Sequence, residues 1–263
     1  DFLFWELNRG RKQDTVEKYL ETISKVCAYA SEHGLLQKTV AQAIADIELE
    51  HGIDDDTTMS IKYLTRKELG RLVHLDRDPL SKKQAEIVDM FHFSFYACGL
   101  RISDIITLRW CDINFEDKTI RKVMIKINKR HIIPLTNQAL AILHKWREER
   151  MGCRFVFDLV KETLDLDNKD ELYRARTNAT KCINQSLKVV GEQLGLDFPL
   201  TAHVARHTFA VQSLNKGMSL NVVSRLLGHG STEITERVYA KFLPETLASE
   251  LDKLQNDFNK FSI

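Results

Sequence analysis

The sequence has no stretch that could cross a membrane and few residues of the kind that form disulfides. Its longest apolar run, Phe91–Leu100, is too short and too interrupted to span a bilayer, and we expect no secretory leader. The five cysteines are an odd number, widely spread and without a C-x-x-C pair. We therefore expect a soluble globular protein with reduced thiols in the cytoplasm, rather than a disulfide framework or a zinc site.

An excess of positive charge is also missing, because 38 Lys and Arg residues face 37 Asp and Glu residues. A DNA-binding function therefore requires that the charge be segregated along the chain. It is segregated: residues 46–56 carry acidic side chains and neither Lys nor Arg, whereas residues 121–131 carry Lys and Arg and no acid. The charge distribution is thus compatible with a nucleic-acid interface, but the net charge does not indicate one.

Apolar residues recur at helical spacing through most of the chain, with one β interruption. Residues 15–32 and 39–50 predict two helices, and the acidic, turn-rich stretch 52–60 predicts a linker. Further helices are predicted at residues 65–75, 82–98, 138–149, 175–194, 202–216, 220–227, 232–242 and 244–261. Alternation predicts strands at 118–127 and 131–135, with Val123, Ile125 and Ile127 on an apolar face and Lys126 opposite.

Two stretches in the first half of the chain present cations at constrained positions. Arg101 follows a helix stop at Gly99, where it could offer a guanidinium to a ligand; alternatively, it caps helix carbonyls. Lys126, at the mouth of the hairpin turn, could reach a phosphate or protonate a leaving oxygen. The alternative for Lys126 is a solvated basic hairpin.

A third stretch places His203 and Arg206 on one face of a helix that Thr201 can cap. A guanidinium fork beside an imidazole suits a phosphodiester, because the planar fork pairs with phosphate oxygens. His203 and His207, four residues apart, could instead ligate a metal or form a satisfied core pair. No H-E-x-x-H acid or nearby third ligand supports the metal.

A fourth stretch contains His229 between two glycines, where the backbone can approach a ligand closely. Tyr239 follows on the next predicted helix, between Val238 and Ala240. A tyrosine in such a setting is usually a core residue with a solvated hydroxyl, so this stretch alone does not indicate catalysis.

Taken together and in this order, the motifs resemble the tyrosine recombinase (phage integrase) family, whose signature is Arg, Lys, His-x-x-Arg, His and Tyr. The resemblance covers residues 62–245 in detail and reaches weakly back to residue 15. It rests on GLRISD, KINKRHIIPL, TAHVARHTFA, LLGHGS and ERVYAKF, and it points to the integrases of bacterial mobile elements. The catalytic residues implied are Arg101, Lys126, His203, Arg206, His229 and Tyr239.

The resemblance implies site-specific recombination, in which DNA strands are cut and rejoined through a 3′-phosphotyrosyl link to Tyr239. The two arginines and His229 would stabilise charge on the phosphate. His203 would accept a proton or orient the phosphate, and Lys126 would protonate the departing 5′ oxygen. No metal, ATP or other cofactor is implied. The other hairpin cations, Lys122, Lys129 and Arg130, are predicted to contact DNA.

The fold implied is mainly α with a small antiparallel β-sheet (α+β). A catalytic domain over residues 61–263, ending in a tail helix, would follow part of a helical, SAM-like core-binding domain with its linker over residues 1–60. The partners implied are double-stranded DNA and further copies of the chain, assembled as a tetramer on paired DNA sites. The tail helix would dock on a neighbouring copy or pack within its own chain.

Three alternatives remain at this point. Residues 219–242 look like a helix-turn-helix pair, which in a non-catalytic regulator would read a major groove. A type IB topoisomerase shares the chemistry, but the motif order and the helical N-terminal unit look like the integrase branch. A metal-dependent nuclease is the third, and neither a carboxylate pair nor a P-loop motif supports it.

Overall fold

The computed structural model describes residues 2–11, 13–47, 61–126 and 129–239. The chain divides into two compact units, Asp1–Thr58 and Met59–Ile263. Among the described residues, no helix has the length and apolar character needed to cross a membrane. The predicted linker and tail helix lie outside the described residues.

The first unit is helical, with α1 at Phe2–Asn8, α2 at Gln13–Glu32 and α3 at Lys38–Ala45. Gly34, at a positive φ of 71°, follows the end of α2. On α2, Val16 is buried, whereas Val26 is 63% exposed. The apolar side chains of α2 are therefore only partly covered among the described residues. The assignment of this unit to a partial core-binding domain stays a prediction.

The second unit is built around α5, Lys82–Tyr96, whose residues from Glu86 to Ser94 are all buried. This helix packs against α7, α8 and α9. Its start is set by a capping box between Ser81 and Gln84. The other helices of the unit are α4 (Arg66–Val73), α6 (Ile102–Ile106), α7 (Asn137–Glu149), α8 (Lys169–Gln193), α9 (Ala202–Asn215), α10 (Leu220–Leu227) and α11 (Thr232–Tyr239), with a 3-10 turn at Trp110–Asp112.

The sheet has three antiparallel strands in the order β1 (Ile113–Asn114), β2 (Thr119–Met124) and β3 (Lys129–Pro134). In the β2–β3 pair, Arg121 lies opposite Ile132 and Met124 opposite Lys129. The fold is thus mainly helical with a small antiparallel sheet, as predicted. The other described helices and the strands β2 and β3 overlap the predicted ranges, whereas α1, α6 and β1 were not predicted.

The predicted apolar face of the hairpin is wrong by one residue. Ile120 and Met124 are buried in β2, whereas Val123 is 50% exposed. Alternate strand residues point to opposite faces, so a shift of one residue exchanges the two sets. This stretch carries apolar side chains in both phases, and only packing against the core decides between them. Ile127 lies outside the described residues.

Candidate active site

Arg206 lies at the centre of the site and is almost fully buried, at 6% exposure. Its Nη1 donates to the carbonyl of Gly99 at 2.7 Å, and its Nη2 donates to the carbonyl of Leu227 at 2.8 Å. Gly99 has a positive φ of 69°, and a Cβ there would lie 3.3 Å from Cγ of Arg206. A glycine after α5 therefore lets the aliphatic part of the Arg206 side chain pass close to the backbone.

Arg101 reaches the same place from the N-terminus of α6. Both of its terminal nitrogens lie 3.4 Å from the carbonyl of Gly228. Gly228 ends α10 in a left-handed conformation, and the C-terminal carbonyls of a helix carry partial negative charge that favours cations. The two guanidinium groups thus meet on one helix end.

Burial and the charge of Arg101 lower the pKa of Arg206 to about 9. Burial likewise lowers the pKa of Arg101. Both side chains keep their charge at neutral pH, and two cations held together on neutral carbonyls form a site suited to an anion.

The hydrogen bonds of His229 determine its tautomer. Nη2 of Arg206 lies 2.8 Å from Nε2 of His229, and a guanidinium can only donate. Nε2 must therefore be unprotonated, and the proton of the neutral ring is on Nδ1, which donates to Oγ1 of Thr235 at 2.6 Å. Burial and the charge of Arg206 lower the pKa of His229 to about 4, which keeps the ring neutral.

Tyr239, on α11, is 1% exposed and points its hydroxyl at His207. The hydroxyl lies 2.8 Å from Nδ1 of His207. Burial raises the pKa of Tyr239 to about 12, against a smaller opposing effect of Arg206. Burial and the charges of His203 and Arg206 lower the pKa of His207 to about 4. The phenol is therefore protonated and the imidazole is neutral.

Lys126 is exposed at the end of the hairpin, and the backbone before it is anchored to α6. The N–H of Ile125 donates to Oδ1 of the fully buried Asp104 at 2.9 Å. Lys126 is close enough for its charge to lower the pKa of His229, after the effects of burial and of the two arginines. The hairpin thus places a third cation within electrostatic range of His229.

A second anchor ties β3 to the same helix end. Nε2 of His131 lies 3.2 Å from the carbonyl of Leu226, to which it donates. A Cβ at Gly228 would lie 3.2 Å from the His131 ring. The hairpin and the glycine-flanked turn before His229 are therefore held in contact.

The predicted DNA contact of Lys122 is not retained. Its side chain is 7% exposed, donates to the carbonyl of Thr107 at 2.8 Å and pairs with Asp112 at 3.5 Å. The same one-residue shift that exposes Val123 turns Lys122 inward. Lys129 and Arg130 are exposed on β3, where DNA can reach them.

His203 is exposed, and the structure does not pair it with Tyr239. Partial burial, then the charges of Arg206, Lys126 and Arg101, lowers the pKa of His203, so it lies beside the cations of the anion site. Thr201 precedes α9 in an extended conformation but makes no side-chain cap; the N–H of Ala202 donates to Asn184 instead.

Three residues of the site were given no role from the sequence. His207 was considered only as a metal ligand or core residue, and Asp104 and Thr235 were not considered for the site. A signal was present for His207, because it is adjacent to Arg206. No group of three or more His, Cys, Asp or Glu side chains among the described residues is arranged to hold a metal ion.

The phage integrase family model matches residues 62–245. The chain is 24% identical over 244 residues to tyrosine recombinase XerC of Thermodesulfovibrio yellowstonii, covering 89% of this chain and 74% of XerC. It is 30% identical over 187 residues to transposase B from transposon Tn554 of Staphylococcus aureus, covering 69% of this chain and 28% of the transposase.

Among solved structures, the fold is similar to that of the Tn1549 transposon integrase in complex with transposon right end DNA. The TM-score is 0.67 at 17% identity, and the match covers 97% of this chain and 83% of the integrase. The chain belongs to the phage integrase family, and it is a tyrosine recombinase, a site-specific enzyme of DNA recombination.

Proposed function

We propose that the enzyme cleaves DNA by attack of Tyr239 on the scissile phosphate, forming a 3′-phosphotyrosyl link without a metal or ATP. The observation that supports this most directly is the meeting of Arg101 and Arg206 on one helix end, with Lys126 close by. Negative charge builds on the non-bridging oxygens during attack, and preorganised guanidinium donors stabilise it.

The two arginines would bind the phosphate with the donors that the protein leaves available. Three of the N–H groups of Arg206 point to Gly99, Leu227 and His229. A guanidinium has five N–H donors, so Nε–H and one N–H of Nη1 can serve the substrate. Arg101, only partly buried and bonded to Gly228 at a long distance, can turn both terminal nitrogens toward the phosphate.

Lys126 would protonate the departing 5′ oxygen as a general acid. Its exposure and its place next to an anchored backbone allow the ammonium to enter a groove of the duplex while the hairpin stays in register. Lys129 and Arg130 would contact phosphates on either side. His203, which faces the same cations, would orient the phosphate.

Double-stranded DNA is the substrate that this arrangement supports, and strand exchange would use a tetramer of the chain on two paired DNA sites. The likenesses to Tn554 transposase B and Tn1549 integrase favour a mobile element as the setting. All five cysteines are unpaired, which is consistent with a reducing cytoplasm.

The test uses duplexes enriched from a random pool by binding to Tyr239→Phe protein. The enriched sequence is rebuilt as a nicked suicide substrate, in which the short fragment after the cleaved bond diffuses away. In EDTA, wild type should form an SDS-resistant adduct on a 3′ end, and Tyr239→Phe should form none. An adduct that survives in Tyr239→Phe would refute the assignment. Sequence-specific binding without any adduct would favour the non-catalytic regulator.

A further inference from the structure

The nucleophile has a direct side-chain partner that the family signature does not contain. The Tyr239 hydroxyl lies 2.8 Å from Nδ1 of His207, and the two rings meet edge to face with centroids 5.8 Å apart. We infer that His207 is the catalytic residue that accepts the proton of Tyr239 when the tyrosine attacks the phosphate. This inference rests on the proposed role of Tyr239 as the nucleophile.

The two histidines of α9 have different surroundings. His207 is half-buried against α11 and contacts the nucleophile, whereas His203 is exposed beside the cations of the anion site. Their ring centroids are 6.2 Å apart. His203 is thus exposed near the cations proposed to bind the phosphate, and His207 contacts the hydroxyl proposed to attack it.

Hydrogen-bonding roles follow from the chemistry of the two groups. The Tyr239 hydroxyl is buried and protonated, so it donates, and Nδ1 of His207 must carry the lone pair that accepts. The remaining ring proton of His207 is then on Nε2. The hydrogen bond seen here already runs along the path that the proton would take.

In the cleavage step, the bond between the tyrosine oxygen and phosphorus forms while the O–H proton moves to Nδ1 of His207. The P–O5′ bond breaks, and Lys126 supplies a proton to the departing oxygen. The imidazolium forms as negative charge accumulates on the adjacent phosphate. In the DNA-free enzyme, burial and then the charges of His203 and Arg206 lower the pKa of His207. The negative charge on the phosphate offsets the contribution of these cations. Resealing returns both protons.

The experiment measures the single-turnover rate of adduct formation on the enriched suicide substrate, with the full chain. We expect His207→Ala to slow adduct formation by about 100-fold or more, as for loss of a general base. Because the ring is half-buried, its removal leaves a gap open to solvent, and added imidazole should restore a substantial part of the rate. His203→Ala is the matched control on the same helix, and imidazole should not restore it.

A second substrate separates the two proton transfers. A 5′-bridging phosphorothiolate has a thiolate leaving group that needs no proton, so it should restore Lys126→Ala but not His207→Ala. Thermal unfolding of His207→Ala and of the more conservative His207→Gln, each compared with wild type, shows whether lost activity reflects lost folding. If His207→Ala folds and cleaves at the wild-type rate or faster, His207 is not the acceptor. Rescue of His203→Ala by imidazole would transfer the role to His203.

The outcomes distinguish this inference from the proposed function. An adduct in Tyr239→Phe would refute both. Loss of the adduct in Tyr239→Phe together with an unimpaired His207→Ala would leave the phosphotyrosyl mechanism standing and refute only the role of His207. A slow, imidazole-insensitive but folded His207→Ala would also refute proton transfer, because it would reduce His207 to a packing role.

Discussion

The guanidinium pocket and the basic hairpin contribute to one site but are built differently. In the guanidinium pocket, formed by α9, α11 and the end of α10, functional side chains bond to one another: Arg206 to His229, His229 to Thr235, and Tyr239 to His207. In the basic hairpin, formed by β2, β3 and their turn, Lys126, Lys129 and Arg130 are exposed, and the anchors are Ile125 and His131.

The difference teaches which part of the site is prepared before DNA arrives. The pocket is desolvated and has its donors oriented, which is the condition for electrostatic stabilisation of a transition state. The hairpin has its position set by two anchors, while its cations face solvent and can be oriented by the phosphates they meet. Substitutions should therefore affect chemistry in the pocket and affinity in the hairpin.

The largest effect is expected for Arg206→Lys. Lysine keeps the charge but cannot contact Gly99, Leu227 and the phosphate at once, because it has one nitrogen where arginine has a planar fork. Adduct formation on the suicide substrate should fall by about 1000-fold, with DNA binding reduced much less. Equal losses in binding and cleavage would contradict the view that the pocket serves the chemical step.

A smaller effect is expected for Thr235→Val, which removes the hydroxyl from a buried position at nearly constant shape. The Nδ1–H of His229 would be left without its acceptor, a defect of about 1–3 kcal/mol, so adduct formation should fall by about 10-fold or more. Thr235→Ser keeps the hydroxyl and should stay near wild type. If Val and Ser behave alike, Thr235 does not set the tautomer of His229.

Acid should destabilise the pocket. The pKa of His207 and of His229 is lowered from 6.5 to about 4, mainly by burial. Between pH 4 and 6.5 the unfolded chain therefore binds more protons at these two histidines than the folded chain does. With respect to these groups, the folded state is most stable above about pH 6.5 and loses stability as the pH falls toward 4. The thermal midpoint should drop over this window, and His207→Gln should reduce the drop. A pH-independent midpoint would contradict this burial.

The smallest effect is expected in the basic hairpin. Lys129→Gln with Arg130→Gln should weaken DNA binding and lower the slope of log affinity against log salt, by about 0.9 for each phosphate that the variant no longer neutralises. The rate of adduct formation at saturating DNA should stay near that of wild type. Lys188→Gln, an exposed cation on α8, is the matched control and should leave the slope unchanged. An unaltered slope in the hairpin variant would show that these cations do not bind phosphates.

Most of the local structure could be predicted from the sequence. Residues 82–98 are apolar nearly all round, and α5 is the buried centre of the second unit. The fold class and the family could be predicted in the same way, because helical periodicity and the order of short motifs are properties of the local sequence. The roles assigned to Arg101, Lys126 and Arg206 stay predictions that their convergence supports.

Tertiary packing decided two features for which the local sequence allowed more than one arrangement. β2 has apolar residues in both phases, so only packing against the core could turn Lys122 inward and Val123 outward. His203 and His207 are four residues apart on α9, and nothing local indicates which of them meets Tyr239, 32 residues beyond His207. The sequence by itself determined most of the helices, the motifs and the family of this protein. The tertiary structure alone chose the hydrogen-bond partner of Tyr239, because that hydrogen bond depends on how α11 packs against α9.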